Sequence, residues 1–397
     1  MFDRATIRLH TIALAAASWL VLAWTQAVPG PLDRFGTLRG VDFVQFYAAG
    51  WTVARRQVES LYDWEAFERL LPALVPGVGD TLYLPVYPPQ VALLFAPFAR
   101  LSFAGALAVW TVASAVLYVL GAAALFGRLP ALRRYRLEFW CAVLGFTPFL
   151  QLIAHGQISA LALPLMVAAL AGFQRGQPLM AGLALGSLVF KPQLGTLALA
   201  ALLLWPSIRL AVGLATAAAA QAALVWLLLG SAPIVEYLGV ASRVAAMAGQ
   251  FEPKLWAMHN LRAAWQLLLG SGGVSMAAWL ISLLAAAWWA LRAWRRNPEP
   301  EVRFAITSLL GLAANPHLYI YDLVLLTPAL ACLAAWCIRH PHREQHRAPR
   351  LVYALAWLPL IGPLAAVTHV QLTAPVMLAV LWHLALQRDN TPQVSSE

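Results

Sequence analysis

A chain of 397 residues that is 61% hydrophobic and only 11% charged cannot be an ordinary soluble domain, about a quarter of whose residues are charged, and reads as an integral membrane protein. Its formal charge of +10 comes from basic residues scattered in short clusters between apolar runs. That pattern speaks against a nucleic-acid groove and for the cationic bias of cytoplasmic loops.

The first apolar run, 9–28, follows Arg4 and Arg8 and lacks a clear small-residue cleavage site, so it reads as a retained first span. A long loop, 29–100, comes next. The central runs are 101–126, 137–153, 157–173, 178–190, 194–206 and 209–230. A second loop, 231–273, precedes the C-terminal runs 274–294, 303–314, 318–338, 351–367 and 371–387, and 388–397 forms a tail. A bilayer needs about 20 apolar residues per helix, fewer where helices are broken or re-entrant. The short runs 178–190 and 194–206 meet at Lys191-Pro192-Gln193, and a break at that depth is tolerated where it lines protein or a water-filled cavity. "AGLALG", with Gly182 and Gly186, has the small-xxx-small spacing of closely packed helices. The expectation is an all-α polytopic membrane protein of one domain, with about 10–12 transmembrane helices.

Charge sets the orientation. With the N-terminus in the cytoplasm and every run crossing, the inner segments hold 17 of the 27 cations but seven of the 17 acids; the outer segments hold ten of each. The inner loops, such as "GRLPALRRYR", are short and basic. The outer ones are chemically varied: 29–100, "HGQ" at 155–157, "KPQ" at 191–193, 231–273, "NPHLYIYD" at 315–322 and "THVQ" at 368–371. The working face is therefore predicted to be external. Within 29–100, "WTVARRQVESLYDWEAFERLL" sets Trp51, Val58, Leu61, Trp64 and Phe67 among charges, as in a helix lying on the membrane surface.

No phosphate-binding Gly loop, GxSxG, HExxH or CxxC occurs, and no DxD pair, which leaves nucleotide, serine and zinc hydrolysis unsupported. No metal site and no cofactor is predicted; a divalent ion is neither required nor excluded. Cys141, Cys332 and Cys337 all lie in apolar runs and imply no disulfide framework.

Asp42, in "RGVDFVQFYAAG", has three readings. It caps the helix that follows, it is a solvated loop acid, or it is a general base whose pKa partial desolvation raises. Capping and catalysis are compatible. Tyr87, before Pro88 and Pro89, belongs to a rigid extended lead-in or lines a substrate site. His155 and Gln157 sit at an outer helix end, as does Gln193. Lys191 is one of only two lysines among 27 cations and lies deep in apolar sequence; an intramembrane ionisable group is a functional candidate by default, and its ammonium suits a leaving phosphate. Asn315, His317, Tyr321 and Asp322 cluster at another outer end, where the bland alternative is a cap and dipole partner for the helix of 318–338. His259 and Arg262, in the second loop, are further phosphate or acceptor contacts, with a solvated loop of equal weight.

In that order and spacing, "DFVQFYAAG", "YPPQVALLFAPF", "GQISALALPLM", "FKPQLGTLALAALL" and "NPHLYIYDLVLLTPAL" resemble the bacterial multi-span glycosyltransferase family 87, of the GT-C fold, over roughly residues 35–335. The resemblance implies a polyprenyl-phosphate sugar donor, mannose in the best-known members. It also implies a glycolipid or polysaccharide acceptor and transfer on the outer face of the bacterial inner membrane, both termini being cytoplasmic. An Asp in the first external loop is the expected base of such enzymes, which places that role on Asp42. No second acid adjoins Asp42, a departure from the paired-carboxylate metal sites of oligosaccharyltransferases. The alternatives are a multi-span lipid or solute transporter and a ligase moving glycans from an isoprenoid diphosphate.

Overall fold

The computed structural model describes residues 4–75, 77–79, 83–246, 254–341 and 347–387. Among them there is no strand, only the isolated bridges Leu32–Leu38 and Met258–Tyr319; everything else regular is helix. Each apolar run predicted to cross falls on a helical segment. Seven of these are long and apolar enough to span a bilayer unaided, and four more are shorter apolar helices.

The N-terminal part comprises α1 (Arg4–Gln26), α2 (Phe43–Ala54), α3 (Trp64–Leu74), α4 (Pro89–Phe95) and α5 (Phe103–Arg128). The stretch expected to form one surface helix across 51–71 is instead divided. α2 ends at Ala54 with its aromatic face buried, and α3 starts afresh at Asp63, whose carboxylate caps the Ala66 N–H at 3.1 Å. The physical reason is the buried run Phe43, Val44, Phe46 and Tyr47. It makes α2 a core helix, and only α3 keeps the amphipathic pattern. Gly50 allows the contact with the next elements, since a Cβ there would lie 2.4 Å from the Phe95 backbone.

The central part holds α6 (Arg136–Leu144), α7 (Thr147–His155), α8 (Ala162–Gln174), α9 (Pro178–Gly186), α10 (Gly195–Leu204) and α11 (Ile208–Leu229). The run predicted as one span over 137–153 is broken at Gly145-Phe146. Gly145 is pressed on α1, a Cβ there lying 2.5 Å from the Ala15 Cα, and Pro148 sits in the first turn of the new helix, where its missing N–H costs nothing. The small-residue spacing of "AGLALG" does mark close packing. A Cβ on Gly182, Gly186 or Gly213 would fall 2.3–2.5 Å from a carbonyl oxygen of the facing helix, so α9 and α11 touch backbone to backbone.

The remainder comprises α12 (Ala232–Ala246), α13 (Leu261–Leu269), α14 (Gly273–Arg296), α15 (Pro300–Ala314), α16 (Leu326–Arg339), α17 (Ala348–Trp357), α18 (Ala365–Thr368) and α19 (Thr373–Leu386). Among the described residues, the second loop, 231–273, thus carries α12 and α13. α15 is buried on nearly all sides, from Phe304 to Ala313, and packs against α8, α10, α14, α16 and α19. α1, α11 and α14 turn Leu20, Leu227 and Leu284 outward, the distribution of helices whose outer face meets lipid.

Candidate functional site

Four polar helix ends meet at one end of this bundle. The segment before α2 is tied to the end of α7 by two backbone hydrogen bonds, from Gly40 N–H to the Ala154 carbonyl (3.1 Å) and from Asp42 N–H to the His155 carbonyl (3.0 Å). Gly156 makes this approach possible. Its φ of +67° is the left-handed conformation that glycine adopts without penalty, and a Cβ there would sit 2.7 Å from the Phe43 Cβ. Its carbonyl accepts the indole N–H of buried Trp110 at 3.1 Å. Phe43 in turn packs in an aromatic group with Phe95, Phe98 and Phe103. The loop that carries Asp42 is therefore held by both backbone and core.

Asp42 precedes α2, but its backbone is already helical (φ −83°, ψ −18°) and its side chain makes no cap hydrogen bond. The capping role is thereby ruled out. A cap needs extended backbone to turn its side chain back on the first N–H groups. The half-buried carboxylate looks the other way and accepts from Gln157 Nε2 at 3.0 Å.

Gln157 leads into a wholly buried cluster. Lys191, 1% exposed, donates to Gln157 Oε1 (3.3 Å), Ser159 Oγ (2.9 Å) and Asp322 Oδ1 (2.5 Å). Ser159 also donates to Asp322 Oδ1. An ammonium has three protons, and three acceptors take them. Lys191 is thus spoken for inside the protein, and the isolated cation that its sequence context suggests is in fact half of a buried ion pair. Each member sits where a helix begins irregularly: Ser159 in the 3-10 turn Ile158–Leu161 ahead of α8, Lys191 between Ser187–Phe190 and Pro192–Leu194, and Asp322 in Ile320–Leu325 ahead of α16. Asp322 does not cap that helix; it pairs with Lys191 across 131 residues of sequence.

Aromatic rings close the cluster. The Lys191 ammonium lies 4.9 Å from the Tyr321 ring centroid, and Tyr321 stacks on Tyr319 at 5.5 Å. The His155 ring lies 5.7 Å from that of Tyr321. The Tyr87 hydroxyl stands beside the Gln157 side chain, and burial with the nearby Asp322 and Asp42 charges pushes its pKa up, which keeps it protonated. Tyr62 holds the Tyr87 carbonyl at 2.9 Å.

The other predicted residues are placed differently. Gln193 is half-buried, and no described hydrogen bond ties its side chain to the cluster. Asn315 Oδ1 accepts the His317 N–H at 2.9 Å, a turn contact, and the His317 ring lies 5.1 Å from Tyr319. Arg262 donates from Nε to the Pro316 carbonyl at 3.0 Å. His259 is joined to the same segment by its backbone, N–H to the Leu318 carbonyl at 2.7 Å. Its imidazole, however, meets Thr373 Oγ1 at 2.9 Å, and burial pushes its pKa down to about 3.

Ser159 is the cluster member that the sequence reading left out. It lies two residues past Gln157 in "GQIS", but a serine in an apolar run carries no signal that separates it from one bonded to its own helix. Among the described residues no group of three or more His, Cys, Asp or Glu side chains gathers as a metal set would.

No curated protein and no solved structure matches the chain. The family model for glycosyltransferase family 87 matches residues 86–316, a range that takes in Tyr87, Gln157, Ser159 and Lys191 and leaves Asp42 and Asp322 to either side. That range is more than half of the chain, and the protein belongs to glycosyltransferase family 87.

Proposed function

We propose that this membrane glycosyltransferase moves a sugar, mannose or another hexose or a pentose, from a polyprenyl-phosphate donor to a glycolipid or polysaccharide acceptor. The reaction takes place at the extracytoplasmic end of the bundle, in the bacterial inner membrane, with Asp42 as general base. The observation that carries this reading is the mounting of Asp42: one carboxylate oxygen is fixed by Gln157, while Oδ1 takes no hydrogen bond from a described residue. A base needs one oxygen held and one available.

In this mechanism the acceptor hydroxyl attacks the sugar C1 as Asp42 takes its proton. The C1–O bond to phosphate breaks on the opposite side, the configuration inverts, and polyprenyl phosphate leaves as an anion. Confinement of both lipids beside one carboxylate supplies much of the rate. Lys191, saturated by three internal acceptors, acts in this scheme by holding Gln157 rather than by touching phosphate. Phosphate contact falls to His155 and Arg262. His155 Nδ1 lies 2.9 Å from the Gln151 carbonyl, so Nδ1 carries a proton and Nε2 is the nitrogen left to face a ligand.

The test is transfer by the purified protein from polyprenyl-phosphate sugars to a panel of acceptors, beside Asp42→Asn. Loss of a general base lowers the rate by about 10²–10⁴-fold, with donor binding retained. Undiminished transfer by Asp42→Asn would remove Asp42 from the mechanism. Donor flipping in liposomes without any turnover would favour a transporter, for which a lysine set in a helix break is the one observation in support.

A further inference from the structure

The opposite end of the bundle carries a second feature, to which the mechanism gives no part. A cavity of about 310 Å³ opens between α1, α6, α16 and α17, at the lower end of the size range of small-molecule sites. Its wall is apolar, built by Ala142, Phe146, Ala334, Ile338, Val352 and Trp357. The charged mouth of the cavity, at Arg134 and Glu138, lies at the end of α6–α7 away from His155, while its apolar interior runs along α16 up to Thr327, in the first turn of that helix.

The rim is cationic. Arg134 lines it, and the Tyr135 ring is flanked by two guanidiniums, Arg4 at 5.2 Å and Arg134 at 5.0 Å from its centroid. Glu138 is the one described acid there; one of its oxygens takes both Arg4 (2.9 Å) and Arg8 (3.1 Å). Beside that carboxylate stand Arg4, Arg8 and Arg134, the last exposed. Among the described residues the rim is thus mainly cationic, and an apolar chamber beneath such a rim complements an amphiphile with an anionic head. Basic pockets between membrane helices are known to hold lipid headgroups in this way.

We propose that this cavity is a lipid site, taking one acyl chain of a glycerophospholipid whose phosphate rests on the Arg134 group. Charge selects the phosphate, and the apolar wall selects the chain. The bilayer's own phospholipid presents both at that depth. Arg4 and Arg8, fixed by Glu138, hold α1 against α6 and so form one side of the site. The proposal does not rest on the role given to Asp42.

The experiment titrates phosphatidylglycerol into the full-length protein in detergent and counts retained lipid by native mass spectrometry. Diacylglycerol serves as the headless control and polyprenyl phosphate as the rival. Wild type retains one phosphatidylglycerol. Ala142→Trp and Ala334→Trp, which fill the chamber from opposite walls, weaken retention by about tenfold or more, the loss of roughly 1.4 kcal/mol, while their unfolding midpoints stay near wild type. Arg134→Gln weakens phosphatidylglycerol by about fivefold, the effect of one surface cation on an anionic lipid, and leaves diacylglycerol unchanged. Unchanged retention in the folded Trp variants overturns the site, as does a preference for polyprenyl phosphate. Should those variants fail to fold, Arg134→Gln decides alone, and equal effects on both lipids refute the proposal.

Discussion

The two ends of the bundle use charge in opposite ways. At the Asp42 end, Lys191 and Asp322 are paired at 2.5 Å with side chains 1% and 0% exposed. At the other end, Glu138 is 4% exposed, but its partners Arg4 and Arg8 remain 49% and 45% exposed. The rim pairs keep half of each cation in solvent, so they are screened and individually weak. The buried pair has given up its solvent entirely, and its attraction does little more than offset that loss. Packing alone would be served as well by two apolar side chains. What the buried pair provides instead is a fixed set of donors and acceptors, which reaches Asp42 through Gln157.

This contrast can be broken experimentally, and the largest effect belongs to the buried pair. Asp322→Ala strands the Lys191 ammonium without its partner and is expected to lower unfolding stability by about 3–5 kcal/mol. The double variant Lys191→Met/Asp322→Leu removes both charges and recovers most of that stability, while sugar transfer stays low; thermal unfolding in detergent and the transfer assay read the two effects. Wild-type stability in Asp322→Ala would mean that the pair is wet, and the contrast with the rim would vanish.

Gln157→Leu tests the link rather than the pair. It releases the held oxygen of Asp42 and one acceptor of Lys191, so kcat/KM falls by about 10- to 100-fold, corresponding to roughly 1–3 kcal/mol for a lost buried hydrogen-bond partner. Gln157 touches no substrate in this scheme and is a positioning residue. The loss should therefore fall on kcat with KM little changed, and Gln157→Asn, shorter by one methylene, should not restore it. The smallest effect is expected at the rim. Glu138→Gln leaves Arg4 and Arg8 solvated and lowers stability by about 1 kcal/mol or less, an effect that shrinks as salt is raised.

Much of the fold was legible because bilayer solvation writes itself along the chain. Apolar runs, their cationic flanks and the break at Lys191-Pro192 each follow from local composition, and each appears as helix or helix break where expected. The misreadings have a common cause. One apolar run hid the break at Gly145, and one amphipathic-looking stretch hid the boundary between α2 and α3. In both, a contact with another helix decided the outcome, through Ala15 at Gly145 and through the buried Phe43–Tyr47 face.

The site divides along the same line. Asp42, Gln157, Lys191 and Asp322 could be singled out from sequence, because a polar group in an apolar run is costly and is retained for a reason. Their pairing could not be. From sequence Asp42 also read as a helix cap, Asp322 as a dipole partner and Lys191 as a phosphate ligand. Hydrophobic periodicity says which residues leave the lipid, but nothing about which of several helix ends they meet. Local composition by itself determined a polytopic helical protein with its chemically varied groups at one end. Only the tertiary packing decided that Lys191 belongs to Asp322 and that Asp42 is held by Gln157. A left-handed Gly156 and a close approach of Phe43 bring those ends together, and contacts across 115 and 131 residues leave no trace in the local pattern.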